Sequence, residues 1–149
     1  MSEAGIIVER VDHIGIRVRD LERALAFYRL LGFELRHKVE YDAVAIISTA
    51  AGVEINLIYN ANAGDPQRNV LMDVPEKYAG YTHVALRVAS IPATISALKR
   101  HGIVITQGPV TFGDGHVSVF VRDPDRNVIE LRGRSVDESE IAGVKPYVP

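Results

Sequence analysis

Val11-Asp12-His13-Ile14-Gly15-Ile16-Arg17-Val18-Arg19-Asp20-Leu21 and Tyr81-Thr82-His83-Val84-Ala85-Leu86-Arg87-Val88-Ala89-Ser90-Ile91 are two versions of one pattern, displaced by 70 residues. His13/His83, Arg17/Arg87 and Val18/Val88 coincide without a gap, and Leu31-Gly32-Phe33 answers His101-Gly102-Ile103 at the same displacement. Each version also ends alike, Val53-Glu54-Ile55-Asn56-Leu57 matching Asn127-Val128-Ile129-Glu130-Leu131. There the displacement is 74, so the second copy carries four extra residues, which we assign to the Gly-rich stretch 111–116. A repeat of this length marks a duplicated structural unit.

The local grammar of each copy is that of a strand feeding a helix. Over residues 11–18 the chain alternates, placing Val11, His13, Gly15 and Arg17 on one face and Asp12, Ile14, Ile16 and Val18 on the other. Asp20 then stands at an N-cap position. Leu21, Ala24, Leu25, Tyr28 and Leu31 recur at helical spacing, and Gly32 supplies the stop. In the second copy Ser90 is the cap, Pro92 falls in the first turn, and Gly102 ends the helix. Strand-like stretches follow at 43–48 and 53–59, and at 116–121 and 127–132, with further strands expected near Glu34 and near Gly102. Asp123-Pro124-Asp125-Arg126-Asn127 is a strong turn signal between the last two. The organisation read from the chain is α+β: a first βαβββ module over 8–60, a connector over 61–80, a second module over 81–134, and a tail over 135–149 that is polar up to Val144 and is expected to wrap a surface or partner.

The faces of these strands carry chemistry. If Ile14, Ile16 and Val18 pack on the first helix, His13 points the other way, and the same parity turns His83 inward. Ile129 and Leu131 take the helix side of the closing strand, so Glu130 faces inward. Glu54 and Asn56 do so in the first half. Two histidines and a carboxylate from equivalent strands form a set suited to a divalent ion with open positions. Asp12, by the same alternation, points away from His13, which leaves that ring without an assigned orienting partner. Arg17 and Arg87 share the histidines' face and are candidate substrate contacts. His116, Ser118 and Phe120 share inward parity on a later strand, and of these His116 and Phe120 are also candidate substrate contacts. Nothing favours function at His37 or His101.

Composition narrows the classes. The chain has 149 residues, 47% apolar and 24% charged, within the range of an ordinary globular protein. A net charge of −2 gives no basic footprint for nucleic acid. Zero cysteines exclude thiolate ligands and a thiol nucleophile, so a metal must be held by His, carboxylate or amide groups. No apolar run is long enough to span a membrane, and the first residues lack a signal peptide's basic and apolar regions, so the expected address is the cytoplasm.

These motifs resemble the vicinal oxygen chelate superfamily, the glyoxalase, bleomycin resistance protein and dioxygenase family, and within it glyoxalase I. The resemblance covers residues 11–134. It is strongest in the two histidine segments and in the closing run from Arg122 to Leu131, where Arg126 stands in place of the family's turn glycine. The resemblance implies a cup-shaped mixed sheet with helices outside. It also implies a divalent metal (Zn, Ni, Co, Mn or Fe) on His13, His83 and Glu130. At the fourth ligand position Asn56 replaces the glutamate of glyoxalase I. An amide can ligate but cannot act as a strong base, and Glu54 would take the position if the strand register differed. The catalytic base is then Glu130 itself, or Glu40, in the region where the family's epimerase has a glutamate. The implied activity is that of a metal-dependent lyase or isomerase stabilising an enediolate or enolate of a small carbonyl substrate, in a homodimer. The alternatives are an iron-dependent extradiol-type dioxygenase and a non-catalytic protein that binds a small molecule such as an antibiotic. Phe120 stands where ring-cleaving members carry a tyrosine, which counts against the dioxygenase.

Overall fold

The alternation around His13 forms a strand, but a shorter one than the pattern predicts. In the computed structural model, which describes residues 5–64, 68–135 and 141–148, β1 covers only Ile14–Arg17. Its first ladder pair is Ile14 with Ile55, so Val11, Asp12 and His13 precede the sheet and escape the strict alternation of a pleated strand. Asp20 caps α1 (Leu21–Leu30) by accepting the Arg23 N–H at 2.8 Å. Gly32 takes a φ of 89°, the left-handed conformation that releases a chain from a helix. Strands β2 (Glu34–Val39), β3 (Val44–Ser48) and β4 (Glu54–Ile58) complete the first half. Residues 1–4, 65–67, 136–140 and 149 lie outside the described residues. The expectations placed on the amino-terminal stretch, on that part of the connector and on the polar part of the tail lie outside them too.

The chain divides into two compact units, residues 1–63 and 64–149. In the first, the strand order is β1-β4-β3-β2, with β1 parallel to β4 and the remaining pairs antiparallel. Burial alternates along β3 and β4: Ala45, Ile47, Ile55 and Leu57 are fully buried between half-exposed neighbours. Leu21, Ala24, Leu25 and Tyr28, at helical spacing, are buried on α1 together with Phe27, and Tyr28 meets Phe33 edge-on. This is the amphipathic arrangement that holds a helix to one face of a sheet.

The second unit repeats the order with one addition. Strand β5 (His83–Arg87) leads to α2 (Ile91–Arg100), capped by Ser90 through the Ala93 N–H. Then come β6 (Gln107–Thr111), β7 (His116–Arg122) and β8 (Val128–Arg134). The expected strand near Gly102 therefore starts later, at Gln107. The ladder shifts register between Gln107 and Val110, where Pro109 has no N–H to donate and a Cβ on Gly108 would meet the Ser118 carbonyl at 2.6 Å. The described part of the tail lies against its own unit. Its residues Lys145–Pro146 form β9, parallel to β6, and Ile141 is buried with Ile91 and Val117, so this part of the tail extends its own unit. The sheet order is β5-β8-β7-β6-β9.

Strand registers locate the four extra residues. Ile46 pairs with His37 and with Asn56, while Phe120 pairs with Gln107 and with Glu130. The displacement is 70 from His37 to Gln107 and 74 from Ile46 to Phe120, so the insertion lies in the β6–β7 hairpin. Among the described residues, no helix is long and apolar enough to cross a membrane.

The turn between β7 and β8 shows how Arg126 is tolerated. Asp123, buried, accepts the N–H groups of Asp125 and Asn127, each at 2.9 Å, closing the turn. Arg126 adopts a φ of 65°, a conformation that costs a residue with a Cβ about 1 kcal/mol or more. Asp73 offsets this by taking Arg126 Nε at 2.7 Å and Nη2 at 3.1 Å, with Arg122 Nη1 at 3.0 Å. The Arg126 hydrogen bond, helped by the Asn69 N–H and by the charge of both arginines, holds the Asp73 carboxyl far below its usual range although burial works against it. A carboxyl depressed in this way stabilises the fold in full above its ordinary value of 3.8 and loses that contribution as the pH falls through its lower folded value. Asp73→Asn should lower the unfolding free energy by roughly 1–2 kcal/mol at pH 7. The gap from wild type should close only in strong acid. Urea melts across pH check this, and equal stability at pH 7 would refute the clasp.

Candidate functional site

Each parallel strand pair sets a histidine beside a polar residue of the closing strand. In the second unit Ala85 lies opposite Glu130 and His83 opposite Val128. Across this short diagonal His83 Nε2 comes within 3.0 Å of Glu130 Oε1. Glu130 is buried, and its second oxygen accepts a hydrogen bond of 2.7 Å from the Ser118 hydroxyl, itself fully buried. Thr82 Oγ1 lies 2.9 Å from His83 Nδ1. Facing the Glu130 carboxyl, Nε2 donates and Nδ1 accepts from the Thr82 hydroxyl. Because a hydroxyl donates or accepts equally well, Thr82 can equally hold the tautomer with its proton on Nδ1, the form that would free Nε2 as a ligand. Phe120, opposite Glu130 in the ladder, stands edge-on to the His83 ring at 5.7 Å.

The first unit holds the corresponding residues differently. Gly15 lies opposite Asn56, so Asn56 occupies in this sheet the place that Glu130 has in the other. Its Oδ1 is buried without a hydrogen-bond partner among the described residues. Glu54 sits two residues earlier, with Oε2 at 3.8 Å from His13 Nδ1. Asp12 approaches the same nitrogen at 2.7 Å, which overturns the expectation that it points away from His13. The reason is the late start of β1: residues 12 and 13 are not yet in a pleated strand. The hydrogen bond with His13 holds the Asp12 carboxyl below its ordinary range. As an ionised carboxylate Asp12 only accepts, so the proton sits on His13 Nδ1 and Nε2 is left as a donor atom for a metal. Asp12, His13 and Glu54 bring three potential ligand atoms within 4.8 Å of one another.

The remaining candidates are more scattered. Glu40 lies in a short 3-10 turn, Glu40–Asp42, exposed and 3.5 Å from Lys38 Nζ. Arg17 Nε donates to Asn60 Oδ1 at 3.1 Å, and Arg87 is exposed on β5. His116 opens β7, its N–H donating to Asp114 Oδ1 at 3.2 Å. Sequence reasoning assigned no role to four residues around these. Thr82 and Asp12 were each visible as the residue before a histidine. Ser118 had inward parity but no assigned role. Arg132, two residues beyond Glu130 on the same strand face, lies 4.0 Å from Glu130 Oε2 and 3.5 Å from Ser118 Oγ.

Residues 10–131 match the family described as the glyoxalase/bleomycin resistance protein/dioxygenase superfamily. A probable lactoylglutathione lyase of Vibrio cholerae is 34% identical over 132 residues, covering 82% of this chain and 88% of the relative. A lactoylglutathione lyase of Haemophilus influenzae is 32% identical, covering 80% and 88%. The crystal structure of a glyoxalase family protein from Bacillus cereus superposes with a TM-score of 0.66 at 20% identity, covering 89% of this chain and 99% of that one, a likeness of fold.

Because a buried carboxylate oxygen depends on it, the Ser118 hydroxyl should matter to stability. Ser118→Ala is expected to lower the unfolding free energy by about 1.5–3 kcal/mol. An unchanged denaturation midpoint would show that the hydroxyl does not hold Glu130.

Proposed function

This chain belongs to the glyoxalase/bleomycin resistance protein/dioxygenase superfamily, and from that membership we propose that it is a metal-dependent lyase or isomerase of the glyoxalase type acting on a small carbonyl compound. The observation that carries the reading is the His83–Glu130 pair at 3.0 Å, oriented from outside by Thr82 and Ser118. The buried, unpartnered Oδ1 of Asn56 supports it, since a buried polar atom left without hydrogen is what a hard cation satisfies. In this proposal His13, His83, Glu130 and Asn56 hold one divalent ion, in a homodimer. Bound there, the ion supplies Lewis acidity toward two neighbouring substrate oxygens as negative charge develops on them.

The protein's own groups divide the remaining work. Asp12 and Thr82 fix the imidazoles through Nδ1. Asn56, an amide, binds and orients without taking a proton. Glu130 is the base: a proton leaving the carbon next to the substrate carbonyl passes to its carboxylate, while the Ser118 hydroxyl keeps that carboxylate in one orientation. Phe120 closes the His83 side with an apolar ring and brings no hydroxyl to it. Glu40, exposed and paired with Lys38, is the weaker candidate for the base.

The test is metal analysis of the purified chain together with an aldehyde/thiol and acyl-CoA substrate panel. We expect about one tightly held divalent ion per chain and turnover that chelation abolishes and metal restores. His83→Ala and Glu130→Gln should each lower kcat/KM by about 100-fold or more. A chain that retains no ion and gains no activity from any added ion would end this reading.

A further inference from the structure

The same unit contains a carboxylate already bound at a place where no sequence feature announced one. Asp114, at the tip of the β6–β7 hairpin, is in ion-pair contact through Oδ2 with Arg132 Nη2, and through Oδ1 it accepts the His116 N–H at 3.2 Å. The other end of the guanidinium points inward, Nη1 lying 3.5 Å from Ser118 Oγ and 4.0 Å from Glu130 Oε2. Phe112 packs its ring 5.6 Å from the guanidinium carbon and meets Tyr147 at 5.0 Å.

We propose that Arg132 and the His116 N–H form a subsite for a substrate carboxylate, and that Asp114 is its built-in occupant, displaced when the substrate binds. Three features support this. The donors are complementary to a carboxylate, since one is filled there already. The two ends of the arrangement differ in freedom: the Arg132 side chain is 22% exposed and rests against buried Ser118 and Glu130, whereas that of Asp114 is 46% exposed. The hairpin that carries Asp114 is able to withdraw, because Gly113 and Gly115 on either side both take positive φ, 78° and 79°, with open space around them. An acid arriving at the outer nitrogen of Arg132 would stand two residues along the strand from Glu130, with Phe112 against its apolar part. This inference deepens the proposed function by naming a carboxylate-bearing substrate class, and it rests on that reading for its catalytic meaning alone.

The binding itself is tested apart from catalysis, on the full chain with and without added metal. Pyruvate is titrated while the amide resonance of His116 is followed, with pyruvamide as the uncharged control. Pyruvate should shift that resonance and pyruvamide should not. Asp114→Ala, which removes the internal competitor, should bind pyruvate about three-fold more tightly than wild type. Arg132→Gln should bind it about ten-fold more weakly, with Arg132→Lys in between. Since the first variant gains affinity, a folding defect cannot imitate the result. If Asp114→Ala binds pyruvate no better than wild type, or Arg132→Gln binds it equally well, the subsite is refuted. Pyruvate binding that requires metal and ignores Arg132 refutes the subsite and leaves the metal reading standing. Binding that follows Arg132 in a chain retaining no metal does the reverse.

Discussion

Parallel pairing between the first and last strand of each unit is the constraint on which the site depends. It brings residues more than forty positions apart in the chain into one register, Gly15 with Asn56 and Ala85 with Glu130. A slip of one residue in either ladder would turn every side chain to the opposite face, moving Glu130 into the apolar layer and Leu131 out of it. The register is held by that layer. Ile129 and Leu131 are buried on β8, and Ile55 and Leu57 on β4, so the inward direction of the polar residues follows from the outward burial of their neighbours.

Much of this was legible in the chain. The repeat, the caps at Asp20 and Ser90, the helix-ending glycines and the alternation of Ile129, Glu130 and Leu131 are local signals, and each forms the element that it announced. What the sequence did not reveal has identifiable physical causes. Asp12 was misread because alternation was carried past the true start of β1. The strand expected near Gly102 starts only at Gln107 because its first ladder partner is Phe120, a pairing across the sheet that no local pattern announces. The partners of Arg126 and Arg132 were not legible because Asp73 and Asp114 reach them from loops, where no periodicity constrains which side chains meet.

The two units satisfy one plan by different means. Where the second unit has Glu130, bonded to Ser118 and touching His83, the first has Asn56 with a buried oxygen left over and two exposed or half-exposed carboxylates, Asp12 and Glu54, gathered about the histidine. An amide in a carboxylate's place removes one negative charge and one base from that half. Under the proposed function the burden of proton transfer therefore falls on the second unit, whose carboxylate is the more deeply buried and the more completely oriented.

The position of the four additional residues has an evolutionary reading. Extending a hairpin by so little changes closure entropy by only a fraction of a kcal/mol, and the pairings on both sides of it remain those of the shorter twin. The shorter twin leaves Glu40, Tyr41 and Asp42 exposed at its turn, whereas the enlarged loop folds Phe112 and Asp114 back onto Arg132. A duplicated gene was thus free to acquire new recognition chemistry at one rim, while the ladders that aim the histidines stayed as they were.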